Sequence, residues 1–299
     1  MPGTLFVVAT PIGNLEDLTF RALRILKEVA LIAAEDTRRT AKLLAHYEIR
    51  CPMVSLHEHN EFREAPGIVA RLAGGISVAL VSDAGTPGIA DPGARLVSLA
   101  RAAGVPVVPI PGASAIATAL SATGLEGREF VFMGFVPPRG REREDWMERL
   151  VAEPRIVCFF ESPHRISRTL SEMADQLVNR PILVFRELTK INETLVIRSI
   201  EPSAVEDWSQ ATQTIPEIGE FTVVVGPSTG GLPQSSPEKD QARVFDVFCR
   251  LTDSSGFTAD EATAMCSGLF GLTAPQVAKA VKKARIADRQ RRLRPSDAR

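Results

Sequence analysis

The stretch Ser82-Asp83-Ala84-Gly85-Thr86-Pro87-Gly88-Ile89-Ala90-Asp91-Pro92-Gly93 gathers glycines, prolines and two aspartates into one loop. Its glycines let a ligand approach the bare main chain, and its prolines hold the path of the loop in advance. The loop directly follows Ile76–Val81, a short apolar run of the kind that forms a buried parallel strand. The carboxyl end of such a strand is where open α/β sheets bind their ligands. An isolated Gly/Pro loop would read as a plain strand-to-helix turn. Length, the paired acids and the recurrence of similar turns favour a ligand site here.

Three further turns repeat the pattern. Thr10-Pro-Ile-Gly-Asn14 follows the strand candidate Leu5–Ala9, Glu35-Asp-Thr-Arg-Arg39 follows Val29–Ala34, and Ile110-Pro-Gly-Ala-Ser114 follows Val105–Pro109. Helical patterns at Leu18–Lys27, Thr37–His46, Glu61–Ala73 and Ala94–Ala103 separate them. This alternation predicts a mostly parallel sheet covered on both faces, with four turns on one edge forming a cleft. A second α/β block runs from Phe130 to Val225, with strand candidates Phe130–Met133, Ile156–Phe160, Ile182–Arg186, Leu195–Ile197 and Phe221–Val225 and helices near Asp145–Val151 and Ile166–Gln176. Its closely spaced later strands predict partly antiparallel pairing. The charged connection Pro137–Arg143 is placed to reach a substrate.

The expected organisation is an N-terminal α/β domain at 1–125, a second α/β domain at 126–226, a linker at 227–240 and a helical module at 241–299. Thr258 with Glu261 and Thr273 with Gln276 have capping-box spacing, so two helices start there, joined at Gly268–Gly271. A helix-turn-helix outline and a purely structural cap fit this module equally.

Composition sets outer bounds. In 299 residues, 44% are hydrophobic and 24% charged, as in ordinary globular proteins. The cysteines at 51, 158, 249 and 266 form no CxxC pair and read as free thiols of a reducing compartment. The sequence opens on a strand without a basic leader, and no apolar run approaches the ~20 residues of a membrane span, so a cytoplasmic protein is expected. The net charge of −1 is unevenly spread: residues 279–299 hold nine Lys/Arg against two acids. Such an end suggests a polyanionic partner, or a solvated helix terminus.

Several chemistries are excluded. There is no Walker A sequence, no full G-x-G-x-x-G and no G-x-S-x-G elbow. A nucleoside-bearing cofactor without a phosphate chain needs backbone amides, small residues and apolar walls, which these turns offer. His57 and His59 have a loop-like i, i+2 spacing and no evident third ligand, so no metal is expected.

Together, Ala9–Asp17, Ala34–Arg38, Ser82–Gly93, Ile110–Ala115, Gly134–Pro138, Glu161–Arg165 and Arg186–Lys190 resemble the ribosomal small-subunit RNA methyltransferase I family, a branch of the tetrapyrrole (corrin/porphyrin) methylase superfamily. The motifs occur in order across residues 4–226. The resemblance implies 2′-O-methylation of a cytidine ribose in the decoding-centre helix of 16S rRNA, with S-adenosylmethionine (S-adenosyl-L-methionine) as donor. It also implies two α/β domains with the cofactor between them, and a homodimer.

Carried over by position, the resemblance places the first glycine-rich turn on Ile12 and Gly13. The cofactor loop falls on Gly85 and Thr86, flanked by Ala84 and Ile89, and the third turn on Ser114 and Ala115. The apolar wall of the second domain falls on Phe160. The acid after the second strand, a proton acceptor in some tetrapyrrole methylases, falls on Asp36. Thr86 stands where the tetrapyrrole branch has Asp, and Arg38 and Arg39 follow the acid. Guanidinium groups match phosphate oxygens, so these departures favour an RNA backbone over a porphyrin.

Asp36 is then the expected proton acceptor, with Arg38 and Arg39 on flanking phosphates. Its alternative is a helix N-cap, in which case the base moves elsewhere, to His57 or Glu58. His164 and Lys190 occupy comparable turns of the second domain and could face substrate. Lys282–Arg294 would add sequence-blind phosphate contacts. The target is buried in folded RNA, so local opening or the assembled small ribosomal subunit could be required. Two rivals stand beside this reading: methylation of a small tetrapyrrole or another protein, and an RNA-binding module with a degenerate cofactor fold.

Overall fold

The computed structural model describes all residues except 128, 175, 178, 179, 199–214, 229–243, 246, 253–256, 271, 272 and 293–299. It divides into one compact unit of Met1–Leu150 with Arg155–Pro227, and another of Val151–Pro154 with Ser228–Arg299.

The first unit begins with β1 (Leu5–Val8), α1 (Phe20–Glu28), β2 (Leu31–Ala34), α2 (Thr37–His46), β3 (Met53–Ser55), α3 (Glu61–Ala73), β4 (Val78–Val81), α4 (Ala94–Ala102), β5 (Val107–Ile110) and α5 (Ala115–Ser121). The five strands form one sheet in the order β3-β2-β4-β1-β5, every neighbouring pair parallel. Strand alternation sorts the side chains into two cores. Ile32, Ala34, Ala79 and Val81 pack with Ala22, Ile25 and Leu26 of α1 and Leu44 of α2. Leu31, Ala33, Val78 and Leu80 pack on the opposite face with Ala65, Ile68 and Leu72 of α3 and Leu96 and Ala100 of α4. Burial on both faces explains why these strands read as unbroken apolar runs rather than alternating ones.

Three strands start later than the sequence suggests, for one reason. At β5 the Val105 amide donates to the Ala100 carbonyl at 2.9 Å, closing α4 first. The Val29 amide still donates to the Ile25 carbonyl at 3.0 Å, closing α1, so β2 begins at Leu31. Likewise the Gly75 and Ile76 amides donate to Leu72 and Arg71, closing α3 before β4. The edge strand β3 and the helix α5 had no counterpart in the sequence reading. The former is three half-buried residues long, and the latter is a short Ala-rich segment capped by the Ser114 hydroxyl.

The unit continues with β6 (Phe130–Phe135), α6 (Arg141–Ala152), β7 (Ile156–Glu161), α7 (Ile166–Ala174), β8 (Ile182–Arg186), β9 (Thr194–Arg198) and β10 (Phe221–Val225). The second sheet runs β6-β7-β10-β8-β9, with β6 and β7 parallel and the remaining pairs antiparallel. Helix α6 starts at Arg141, earlier than the sequence indicates, with Glu142 and Glu144 in its first turn, where carboxylates suit the positive end of the helix. Trp146 of α6 meets Phe159 edge-on at 5.0 Å. A shared apolar seam joins the two sheets: Ile12, Ile116 and Ala119 pack with Ile156, Cys158, Leu183, Phe185, Leu188 and Val224.

In the other unit, α8 (Ala259–Phe270) and α9 (Ala274–Arg292) are the helices that the two caps start. Glu261 Oε2 accepts from the Thr258 amide at 2.9 Å while the Glu261 amide donates to Thr258 Oγ1 at 3.3 Å, and Gln276 Oε1 accepts from the Thr273 amide at 2.8 Å. Gly268, expected in the intervening turn, lies inside α8, because the chain stays helical to Phe270. Val244, Phe248, Ala262, Cys266, Val277, Ala280 and Val281 form the core of this unit. From residue 229 onward the expected linker lies outside the described residues, as do residues 293–299 of the basic end. Among the described residues no helix is long and apolar enough to cross a membrane.

Candidate active site

The carboxyl-end turns of the first sheet are stitched together before any ligand is considered. Thr10 and Gly85 exchange a reciprocal pair of backbone hydrogen bonds, each 2.9 Å. Thr10 Oγ1 donates to the Ser82 carbonyl at 3.1 Å, and Thr86 Oγ1 donates to the Ala113 carbonyl at 3.3 Å. Gly85 has φ 78°, a conformation that costs a side-chain-bearing residue free energy. At the far end of the loop, Glu61 Oε1 accepts from the Gly93, Arg95 and Leu96 amides at 3.0–3.1 Å, so α3 caps the start of α4.

These turns open onto a cavity of about 430 Å³, within the range of small-molecule sites. Of the positions expected to hold a cofactor, Ile12, Ala84, Gly85, Thr86, Ile89, Ser114, Ala115 and Phe160 all line it. Gly13 does not; it lies where the second sheet approaches. A Cβ there would fall 2.3 Å from Lys190 Cγ, 2.9 Å from Thr189 Oγ1 and 3.1 Å from the Leu188 carbonyl. Its neighbour Asn14 donates its amide to Thr189 Oγ1 at 3.1 Å. The turn it meets holds Glu187 and Thr189 at φ 55° and 67°. Lys190 Nζ bonds Glu187 at 2.7 Å and Glu220 at 3.1 Å, which ties this amine within its own sheet instead of leaving it for substrate.

The second sheet contributes an aromatic wall. The Phe160 ring stands 5.0 Å from Phe132 and 5.3 Å from Phe135, and Phe135 and Phe221 also line the cavity. Beside Phe160, Glu161 also borders the cavity, its side chain buried and heavily bonded: Thr169 Oγ1 donates to it at 2.6 Å, Arg165 at 2.9 Å, and Arg143 lies 3.9 Å away. Arg143 also bonds Glu172 at 2.8 Å. His164 sits exposed in a short 3-10 turn, Pro163–Arg165, and is not among the lining residues.

The floor is acidic. Glu35, Asp83 and Asp91 line it, with Arg39 as the guanidinium beside them, 3.4 Å from Asp83. Glu35 Oε2 accepts from the Asp83 amide at 3.1 Å, and Asp83 Oδ1 accepts from the Asp36 amide at 2.9 Å. Burial pushes the Glu35 carboxyl up. Burial, then the negative charge of Glu35, pushes Asp91 up to about 6, against a hydrogen bond from Ser82.

Asp36 is placed otherwise than a general base requires. Its carboxylate accepts from the Arg38 amide at 2.8 Å, capping α2, and from the Arg38 guanidinium at 3.2 and 3.0 Å. Those bonds from Arg38 lower it to about 2, which makes it a weak proton acceptor, and it is not among the lining residues. The alternatives His57 and Glu58 do not line the cavity either. Sequence reasoning passed over Glu35, Asp83 and Asp91, although all three lie in segments it singled out. The Asp-x-Arg spacing of an N-cap pair was the available signal that Asp36 is occupied. Among the described residues no three His, Cys, Asp or Glu side chains gather as a metal site.

Comparisons with known proteins agree with this architecture. Residues 4–202 match the model of the Tetrapyrrole (Corrin/Porphyrin) Methylases. The chain is 45% identical over 246 residues to the ribosomal RNA small subunit methyltransferase I of Pseudomonas aeruginosa, covering 82% of this chain and 86% of that protein. It is 40% identical over 262 residues to the protein of the same name from Synechocystis, covering 87% and 91%. Among solved structures it resembles a uroporphyrin-III-C-methyltransferase from Thermus thermophilus, with TM-score 0.51, 20% identity and coverage of 75% and 94%. It also resembles a diphthine synthase, with TM-score 0.57, 16% identity and coverage of 75% and 90%. At such identities the structural likeness speaks for the fold alone.

Proposed function

This chain belongs to the tetrapyrrole methylase family and groups with its ribosomal RNA small subunit methyltransferases I, and from that premise we propose that it methylates a cytidine ribose 2′-hydroxyl in the decoding-centre helix of 16S rRNA, with S-adenosylmethionine as donor. The observation that carries this reading is the make-up of the cavity. Main-chain turns of a parallel sheet face an aromatic wall, over a floor where Glu35, Asp83 and Asp91 outnumber Arg39. Small residues and backbone amides suit a nucleoside, the wall suits its apolar contacts, and a surplus of carboxylates suits a cation. When bound, the donor supplies a methyl carbon made electrophilic by a positive sulfur.

The chain's own task is alignment and the exclusion of water. Ile12, Ala84, Gly85, Thr86, Ser114 and Ala115 hold the donor from the first sheet, Ile89 borders it, and Phe160 closes it from the second. Gly13 sets the distance between the turns. Arg39 at the floor and Arg38, whose side chain is 88% exposed, face flanking phosphates of the acceptor strand. Asp36 acts by holding Arg38. The acceptor is presented within the small ribosomal subunit, the working assembly is a homodimer, and the compartment is the cytoplasm.

Mass-spectrometric mapping of ribose methylation, on small subunits from a strain lacking the enzyme, tests the proposal. Addition of protein and donor should place one new methyl on a cytidine 2′-oxygen. Methyl on a nucleobase, or methylation of a tetrapyrrole and not of the subunit, would overturn it.

A further inference from the structure

Asp36 is spent on Arg38, and neither His57 nor Glu58 borders the cavity, so the proton acceptor must be sought among the residues that do line it. Five carboxylates do so; Glu161 is held by Thr169 and Arg165 and Glu220 by Lys190, which leaves Glu35, Asp83 and Asp91 on the acidic floor. Asp83 accepts from the Asp36 amide through one oxygen and lies 3.4 Å from the Arg39 guanidinium through the other. Glu35 accepts from the Asp83 amide. Asp91 is bound differently. It sits on the outer limb of the 82–93 loop, between exposed Ile89 and the Glu61-capped start of α4, and its neighbours Ile89 and Ala90 line the cavity with it. Resting on the 2′-O-methylation reading above, we propose that Asp91 is the general base that takes the proton of the acceptor hydroxyl.

The balance of the step is simple. The ribose 2′-oxygen forms a bond to the methyl carbon while the carbon–sulfur bond breaks, its electron pair staying on sulfur. The hydroxyl proton passes to the Asp91 carboxylate, which ends as a carboxylic acid and later returns the proton to solvent. The surroundings favour this direction. Glu35 and Asp83 face Asp91 from β2 and β4, Ser82 donates to it, Arg39 faces the same floor from α2, and Glu61 approaches from α3 with its charge committed to the α4 amides. The positive charge on the donor sulfur favours the ionised form of Asp91 before reaction. As methyl leaves, that charge vanishes while the negative neighbours remain, so the proton affinity of Asp91 rises when the hydroxyl proton must go. Burial and those neighbours already set its ionisation at about 6, near the operating pH that suits a general base.

The sign for stability follows from the same shift. Asp91 is raised above its unfolded value of about 3.9, so keeping the neutral form helps folding at low pH. That help is lost as pH rises through about 6. Asp91→Asn should therefore melt higher than wild type at pH 8, with the difference closing by about pH 4.

Single-turnover methylation of small subunits, followed against pH, is the decisive measurement. An aspartate ¹³C-carboxyl resonance of the donor-free protein should titrate near 6, and wild type should lose rate below an inflection that the donor's positive charge sets lower than that. Asp91→Asn should lack that resonance, bind the donor somewhat more weakly by calorimetry for the loss of one floor charge, and turn over about 100-fold or more slowly at saturating donor. Asp91→Glu should restore part of the rate with a displaced inflection. Methyl on the ribose together with an Asp91→Asn rate within a few fold of wild type would overturn the role of Asp91 alone. Methyl on a nucleobase in the wild-type product would overturn the acceptor reading, and this proton transfer with it.

Discussion

The two sheets of the first unit solve opposite problems. The first is wholly parallel, buried on both faces, and ends in four turns whose amides and carboxylates face the cavity. The second is mostly antiparallel, offers an aromatic surface to the same cavity, and gathers its buried charges in the Glu161–Arg143–Glu172 cluster, of which Glu161 borders the cavity. Ion pairs illustrate the contrast. Asp36 and Arg38 meet in solvent, at 27% and 88% side-chain exposure, whereas Glu161 and Arg143 meet at 0% and 5%. On the first sheet Glu35, Asp83 and Asp91 stay open to a ligand, whereas Glu161 of the second borders the cavity with its charge bound by Thr169 and Arg165, where it holds the fold together.

The largest expected effect of breaking this contrast comes from Glu161→Gln. Removing one partner of a buried cluster leaves the others without compensation and costs about 3–5 kcal/mol, read as a drop in the urea midpoint. Asp36→Asn, the exposed counterpart, should leave that midpoint unmoved and weaken only RNA binding. Next comes Gly13→Val, which drives a side chain into Leu188–Lys190 where the sheets meet. The overpacking should cost about 1–3 kcal/mol and weaken donor binding in the same calorimetric titration. Glu61→Ala should cost about 1 kcal/mol, the typical value of a lost helix cap, and raise the mobility of the 82–93 loop. The smallest effect lies outside both sheets. Lys282→Ala, at an exposed position midway along α9, should lower the slope of log affinity against log salt by about one, measured by filter binding to small-subunit RNA.

Much of this was legible in the sequence because parallel strands buried on both faces leave long apolar marks and strongly punctuated ends. Gly85 announces itself through a backbone demand that few other residues meet, and Ala84 and Thr86 come with it through the family resemblance. Phe160 gives no such local mark; only the family resemblance singles it out, since its role depends on how two sheets meet. What composition and spacing could not decide was the division of labour among neighbouring carboxylates. Glu35 and Asp36 are adjacent and chemically alike, yet one is drawn toward the cavity floor and the other is claimed by Arg38 two residues on. Asp91 hid for a similar reason, because its raised ionisation arises from burial and from Glu35, which lies far away along the chain. Short pieces such as β3 and α5 escaped because tertiary contacts, rather than their own periodicity, hold them in place.

The reciprocal bonds between Thr10 and Gly85 carry one more implication. A seat already sewn shut by its own amides does not need a guest to finish it. Entry of the donor should then release little ordering heat, and deuterium should creep into these two amides at nearly equal rates in empty and filled protein. Recognition would resemble a key meeting a cut lock, with whatever adaptation occurs left to the RNA.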